Sequence, residues 1–434
     1  MRLAAIVCLV LAPPVGSQVG LPPVRLPQLP PVALPHAPDV LPTETTGDAA
    51  VGELDPRYLR ELHAVRVREL LRRHRDVLEA DPHGALIVRG EVLALAPSPA
   101  AMQAAVAAGF SVQRELTLPA LDLHITVLHV SGATARALQR LQQEDASGTY
   151  DFNHIYLEAG TVAITTSARA NTSAARGGSA AATKIGLIDS GVDESHEVFH
   201  GLTLERHGCA QAVPAAHGTA VASILVADSA AFHGAAPGAT LYAADVFCGK
   251  PTGGSVEEIA EALGWLQQQR IAVINISLVG PPDRLLERVV REAVARGTLL
   301  VAAVGNDGPS AVLYPASWPG VIGVTGVDAR GRVLAEAGRG AQVKFAAPGA
   351  DMVAAQLRGG YLRVRGTSFA APIVAGLLAL ALLSPGNQAA GEAVAALAHS
   401  ARHVGVPGVD STYGYGLVGE ELRLQAALGS TRSH

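Results

Sequence analysis

The chain is poor in several residue types, and each shortage excludes something. Aromatics make up only 4% of 434 residues, too few for a surface that stacks nucleobases. Charged residues are 16% and the net charge is −5, so there is no basic footprint for nucleic acid. Long apolar runs are missing too. Leu3–Ala12 and Phe369–Leu383 both fall short of the ~20 residues a spanning helix needs, and the second contains Pro372 and Gly376. Stable membrane insertion is therefore not expected, and Phe369–Leu383 reads as a buried central helix. Of 3 cysteines, Cys8 lies in the leader, which leaves Cys209 and Cys248 as a candidate disulfide in an exported chain.

What is present is 49% hydrophobic residues, enough for two domains with sizeable cores. Met1-Arg2 followed by an apolar stretch and Val15-Gly16-Ser17 reads as a signal peptide over 1–17, which predicts export to the periplasm or the medium. Residues 18–50 repeat leucine-proline steps and form a proline-rich linker. Residues 51–157 begin with an Arg- and Leu-rich helical pattern over 52–80. The order β-α-β-β-α-β follows over 85–156, a small ferredoxin-like α+β domain. Residues 158–183, rich in Ala, Ser, Thr and Gly, read as a flexible maturation segment. From 184 to 434 apolar strands alternate with helices, which predicts a parallel sheet with helices on both faces. The expected strands are 184–188, 240–247, 273–278, 299–304 and 321–327. The expected helices are 217–227, 255–269, 281–295 and 368–382.

Three short segments in that last region carry chemistry. Ile185–Ile188 is an apolar strand running into Asp189-Ser190-Gly191. His217-Gly218-Thr219-Ala220 opens a small-residue helix. Gly366-Thr367-Ser368-Phe369-Ala370-Ala371-Pro372 places a serine between a tight turn and an apolar helix. A serine hydroxyl becomes a nucleophile only beside a base, and the base needs a third group to hold its tautomer. Asp189, His217 and Ser368 supply that set. Asn306, after the apolar strand Leu299–Val304, supplies an amide for an oxyanion, beside the backbone N–H of Ser368.

With Val273–Leu278, Tyr314-Pro315-Ala316 and Tyr413–Gly416, these motifs resemble the subtilisin-like serine proteases, or subtilases, from about residue 185 onward. The resemblance implies a secreted serine endopeptidase acting through an acyl-enzyme on protein or peptide substrates, monomeric and without organic cofactor. It implies that 51–157 is a propeptide that assists folding and inhibits the site, its tail Asp151–Tyr156 lying in the cleft. Self-cleavage is expected between 156 and 182. It also implies that Ser277, Leu278, Val279 and Gly280 form the strand that pairs with substrate. The family commonly has glycine where Val279 stands, so Val279 is expected to narrow the pocket before the scissile bond and favour small or medium residues. Threonine is common in the family where Ser190 stands, and a hydroxyl is kept. Structural calcium occurs in the family, but no acid cluster here matches a family site. One alternative is a catalytically silent protein that keeps the fold for binding. Another is a zinc protease, since His196-Glu197-Val198-Phe199-His200 fits H-E-x-x-H, with Glu205 or His207 as further ligands. Gly201 leaves that motif little room for a helix.

Overall fold

The computed structural model describes residues 56–146, 148–162, 169–170, 182–229, 233–423 and 426–427. The leader at 1–17, the linker at 18–50 and most of the segment 158–183 lie outside the described residues.

The first domain begins with helix α1, Pro56–Arg73. A short strand, Leu78–Ala80, pairs with Leu86–Leu95. Helix α2, Pro99–Ala107, starts where expected because the Ser98 hydroxyl accepts the Ala101 N–H and Pro99 fills the first turn. Strands Phe110–Leu118 and Leu123–Val130 form a hairpin, helix α3 spans Thr134–Glu144, and strand Thr149–Glu158 closes the domain. The spatial order 149–158, 86–95, 123–130, 110–118 is antiparallel throughout and ferredoxin-like. Its own core is Ile87, Val92, Phe110, Leu128, Leu138, Leu141 and Tyr150.

The second domain is built on a seven-stranded parallel sheet in the order 343–348, 322–327, 299–303, 273–276, 184–189, 240–245, 204–207. Strand order reverses beside Lys184–Asp189, so a crevice opens at the carboxyl ends of that strand and of Val273–Ile276. Helices α4, Ala216–Val226, and α7, Thr367–Ala381, pack on one face. Helices α5, Val256–Gln268, and α6, Arg284–Ala295, pack on the other. Both faces are covered, which is why the strands read as unbroken apolar runs. Helix α8, Asn387–Ser400, follows α7. The outer strands 204–207 and 343–348, the hairpin 352–355/361–365 and α8 are elements beyond those expected from the sequence. Helix α6 starts at Arg284 rather than 281, because Asp283 caps it by accepting the Leu286 N–H. Phe369–Leu383 is the buried helix α7, and among the described residues no helix is long and apolar enough to cross a membrane.

Helix α7 contains Pro372. Proline has no N–H, so the Ser368 carbonyl four residues back loses its helical donor. The Ser277 hydroxyl takes that place, donating to Ser368 O at 3.0 Å, and itself accepts from Asn275 Nδ2 at 2.9 Å. All of these residues are buried. The turn before α7 is thereby tied to the end of strand Val273–Ile276.

The first domain docks onto α5 and α6. Leu93, Leu118, Leu121, Leu123, Ile125, Val127 and Tyr156 join the apolar cluster of those helices. Around it, Arg114 bridges Glu91 and Glu257, and Asn153 Oδ1 accepts the Glu257 N–H at 3.1 Å. Asp151 accepts the Arg284 N–H at 2.8 Å. Both backbone donors lie in the first turn of a helix, where N–H groups have no partner of their own.

Replacing Ser277 with Ala leaves the Ser368 carbonyl buried and unpaired. In a Ser368→Ala background, which prevents self-digestion, Ser277→Ala is expected to lose about 1–3 kcal/mol of stability by urea unfolding.

Candidate active site

Asp189 ends its strand at the crevice, fully buried, and its Oδ1 accepts the Ser190 N–H at 2.7 Å. The same oxygen lies 2.8 Å from His217 Nδ1. His217 is in the first turn of α4, where Gly218 packs its α-carbon against the Ser190 carbonyl and donates its N–H to Ser190 Oγ at 3.1 Å. His217 Nε2 is buried without a hydrogen-bond partner, and the ring stands 5.5 Å from that of Phe369. Ser368 is fully buried, and its hydroxyl donates to Ser277 O at 3.3 Å. The hydroxyl is thus engaged by a backbone carbonyl and not by the His217 imidazole.

Asn306 is oriented by its neighbours. Its Oδ1 accepts the Thr367 N–H at 3.1 Å, and Thr367 Oγ1 accepts the Gly305 N–H at 3.1 Å. With the carbonyl end engaged, the amide end points into the crevice, where it donates to the carbonyl of Ala159.

Ala159 directly follows the first domain's last strand, and this is what sequence reading missed. The expected tail stops at Tyr156, but the strand runs through Glu158 and crosses the cleft. On one side Tyr156 and Ile155 pair with Gly254 and Ser255. On the other, Leu157 and Glu158 pair with Val279 and Leu278. Ala159 N–H donates to Ser277 O at 3.2 Å. The Tyr156 ring lies flat on Gly280, where a side chain would sit 2.7 Å from it, and its hydroxyl donates to Pro281 O at 2.7 Å. Ser277, Leu278, Val279 and Gly280 therefore all meet the tail. Gly160 follows, so close that a methyl group on it would lie 3.2 Å from Ser368 Oγ. Gly366, at φ 137°, borders the same spot: a side chain there would meet Gly160 and Asn306 Nδ2 at 3.0 and 3.1 Å. The signals in the sequence were the small residues of Ala159-Gly160 and Gly253-Gly254.

Helix α1 covers the tail from outside. Val67, Leu70 and Leu71 pack on Ile155 and Leu157. His63 Nδ1 reaches Asp307 Oδ2, beside Asn306, at 2.9 Å. That hydrogen bond raises the His63 imidazole above its ordinary range, against the opposing effect of burial.

Cys209 and Cys248 are joined, with S–S at 2.05 Å. The H-E-x-x-H segment does not form the helix that zinc binding requires; Glu197–Phe199 is one 3-10 turn. His196 spends both ring nitrogens on the backbone, at Gly360 O and Val198 N, while His200 faces Ser195 O and Glu197 accepts from Tyr361. His207 stacks on Trp265 at 4.8 Å instead of turning toward them. The zinc reading fails on this geometry. Among the described residues the groups of three metal-capable side chains are the disulfide with Asp245, and two in which a histidine sits between carboxylates.

The comparisons agree with this geometry. The family model for the subtilase family matches residues 180–416. The chain belongs to the subtilase family, and with it to the serine-type endopeptidases. It is similar to subtilisin DY of Bacillus licheniformis, 32% identical over 58% of this chain and 94% of that protein. It is similar to subtilisin Savinase of Lederbergia lenta, 34% identical over 47% of this chain and 78% of that one. Its match to M-protease of Shouchella clausii, at 34% identity, spans 55% of that protein's length. Among solved structures, fervidolysin from Fervidobacterium pennivorans shares the fold, with TM-score 0.64 and 21% identity over 79% of this chain and 62% of that one.

Two buried histidines are strongly perturbed. Burial pushes His217 down, but the carboxylates of Asp189 and Glu158 and the hydrogen bond to Asp189 outweigh it and raise it to about 9. At the domain junction, burial likewise opposes His154, yet its bonds to Asp283 at 2.7 Å and Asp81 at 3.6 Å raise it to about 9. Burial and the Asp283 carboxylate raise neighbouring Asp151 to about 6, below the window in which His154 titrates.

The folded value of His154 lies above the 6.5 of free imidazole. Its contribution is complete below about pH 6.5 and lost as pH rises through about 9. In the Ser368→Ala chain, His154 is expected to contribute on the order of 2–3 kcal/mol to the fall in stability across that window, beside the part that His217 contributes in the same direction. His154→Gln should reduce the fall without abolishing it, as read from melting temperature against pH.

Proposed function

We propose that the chain is the precursor of an exported serine endopeptidase that cuts itself between Ala159 and Gly160. One observation carries this reading: the Asn306 amide donates to the Ala159 carbonyl while Gly160 lies against Ser368. A peptide bond held so is placed as a substrate. The leader at 1–17 directs the chain out of the cytoplasm.

Ser368 swings its hydroxyl from Ser277 O to His217 Nε2 and attacks the Ala159 carbonyl carbon. His217 takes the hydroxyl proton. Asp189 Oδ1, at 2.8 Å from Nδ1, fixes the tautomer with Nε2 free and stabilises the imidazolium. The negative charge on the former carbonyl oxygen is met by Asn306 Nδ2 and by the positive end of α7. The imidazolium then protonates the Gly160 nitrogen as the bond breaks. Water, activated by the same base, releases Ala159 from the acyl-enzyme. Residues up to Ala159 remain in the cleft as an inhibitor, held by the two flanking strand pairings and the charged contacts on α5 and α6. Other protein substrates bind in their place by adding a strand.

The residue before the cut is small for a physical reason. Val279 and Leu313 both fill the space beside Gly305, next to Asn306, and share an apolar cluster with Ala159. Deeper residues have no room there.

Ser368→Ala is expected to accumulate as the uncut chain and to lose labelling by a fluorophosphonate. N-terminal sequencing of the processed enzyme should start at Gly160. Normal processing of the alanine variant contradicts self-cleavage. A peptide library should show preference for Ala before the cut, and combining Val279→Gly with Leu313→Gly should raise cleavage after Phe or Tyr at least about tenfold in kcat/KM, since each freed methylene is worth ~1–3 kcal/mol. Strong cleavage after Phe by the unaltered enzyme overturns the pocket argument.

A further inference from the structure

Glu158 lies between two residues that the cleft holds by their backbone. Leu157 pairs with Val279, and Ala159 is held by Ser277 and Asn306. Strand alternation turns the Glu158 side chain to the opposite face, toward the buried acid and base. Ser190 Oγ donates to Glu158 Oε1 at 3.0 Å, and the same hydroxyl lies 3.2 Å from Asp189 Oδ1. Ligand atoms of Glu158, Asp189 and His217 all fall within 4.8 Å of one another. Two carboxylates thus flank a single buried imidazole. Arg66 of α1 is the cation that opposes them, while α7 contributes the uncharged Ser368 and Phe369.

We propose that Glu158 is a positioning residue that acts through His217: a carboxylate carried by the bound segment itself, seated by Ser190, which holds a proton on the base and so makes this segment a slow substrate and a lasting inhibitor. The inference rests on the reading of Ser368 as nucleophile and His217 as base. A base that already carries its proton cannot take the serine's, so attack proceeds only through the neutral fraction. With His217 raised to about 9, that fraction is about one in a hundred at pH 7. The carboxylate strengthens binding and weakens turnover together. For the processed enzyme, peptides with an acidic residue second before the cut are then bound well and cut slowly at neutral pH.

The test uses the full-length chain. Unaltered and Glu158→Gln precursors are incubated from pH 5.5 to 10, and loss of the uncut form is timed. Gln keeps the shape and removes the charge. The expected result is that the acid limb of the rate moves down by about one pH unit in Glu158→Gln, with about tenfold faster cutting at pH 7. Superimposable profiles overturn the inference. Because the variant could affect folding, two synthetic peptides carrying Tyr-Leu-Glu-Ala-Gly or Tyr-Leu-Gln-Ala-Gly are also given to the processed enzyme. The Glu peptide should show the more alkaline limb in kcat, with KM no higher than that of the Gln peptide. Equal kcat limbs again overturn it. If the unaltered enzyme cuts neither peptide, the proteolytic reading itself fails; if it cuts both with one profile, only the role of Glu158 does.

Discussion

One antiparallel strand, Thr149–Glu158, organises the molecule. It is the edge of the first domain's sheet and, at its far end, the third strand between Gly254-Ser255 and Leu278-Val279. An exposed sheet edge invites pairing. Here two such edges satisfy each other, so the backbone hydrogen bonds that close the first domain's sheet run on into those that occupy the cleft. The position of Ala159 follows from the register of that strand, and the register is pinned twice over, by Tyr156 on Gly280 and by His154 on Asp283. A slip of one residue would turn Tyr156 out of its site and bring Ile155 in.

The catalytic side of the cleft is fixed as firmly by backbone chemistry. Pro372 removes a helical donor from Ser368 O, Ser277 replaces it, and the Ser277 carbonyl in turn accepts from both Ala159 N–H and Ser368 Oγ. Residue 277 thereby holds the backbone of the tail and sets the turn of Ser368 with the same few atoms. Asn306 is held by Thr367 in the same fashion, its carbonyl end occupied so that its amide end has one direction left.

Much of this was legible in the residues, and the part that was not has a common cause. Apolar runs ending in Asp189 and Asn306 marked the central strands, because a sheet covered on both faces leaves no polar alternation to confuse the pattern. The outer strand 204–207 carries exposed Glu205 and Arg206 and gave no such signal. The first domain's order of elements was readable from Ser98-Pro99 and its alternating strands. The end of its last strand was not, because Glu158-Ala159-Gly160 has no strand propensity of its own. That segment is extended because the cleft extends it, a tertiary effect that local sequence does not carry. His196 and His200 show the opposite error available to pattern reading: the spacing of a zinc helix is present, but Gly201 and the loop's own hydrogen bonds dispose of both imidazoles.

The two domains are held by unlike forces, and the difference bears on how pH acts on the junction. An apolar cluster built from Leu93, Leu118, Ile125 and Tyr156 against α5 and α6 gives the interface affinity with little dependence on pH. The contacts that set orientation are charged or lie at helix starts: Arg114 on Glu257, Asp151 on the Arg284 N–H, His154 on Asp283. Losing the His154 proton does not dissolve the apolar contact. It weakens one of the two side-chain contacts that pin the strand's register and leaves the other, Tyr156 on Gly280, in place. Each imidazole is raised to about 9 by a carboxylate of its own domain together with one from across the interface: Asp81 and Asp283 for His154, Asp189 and Glu158 for His217.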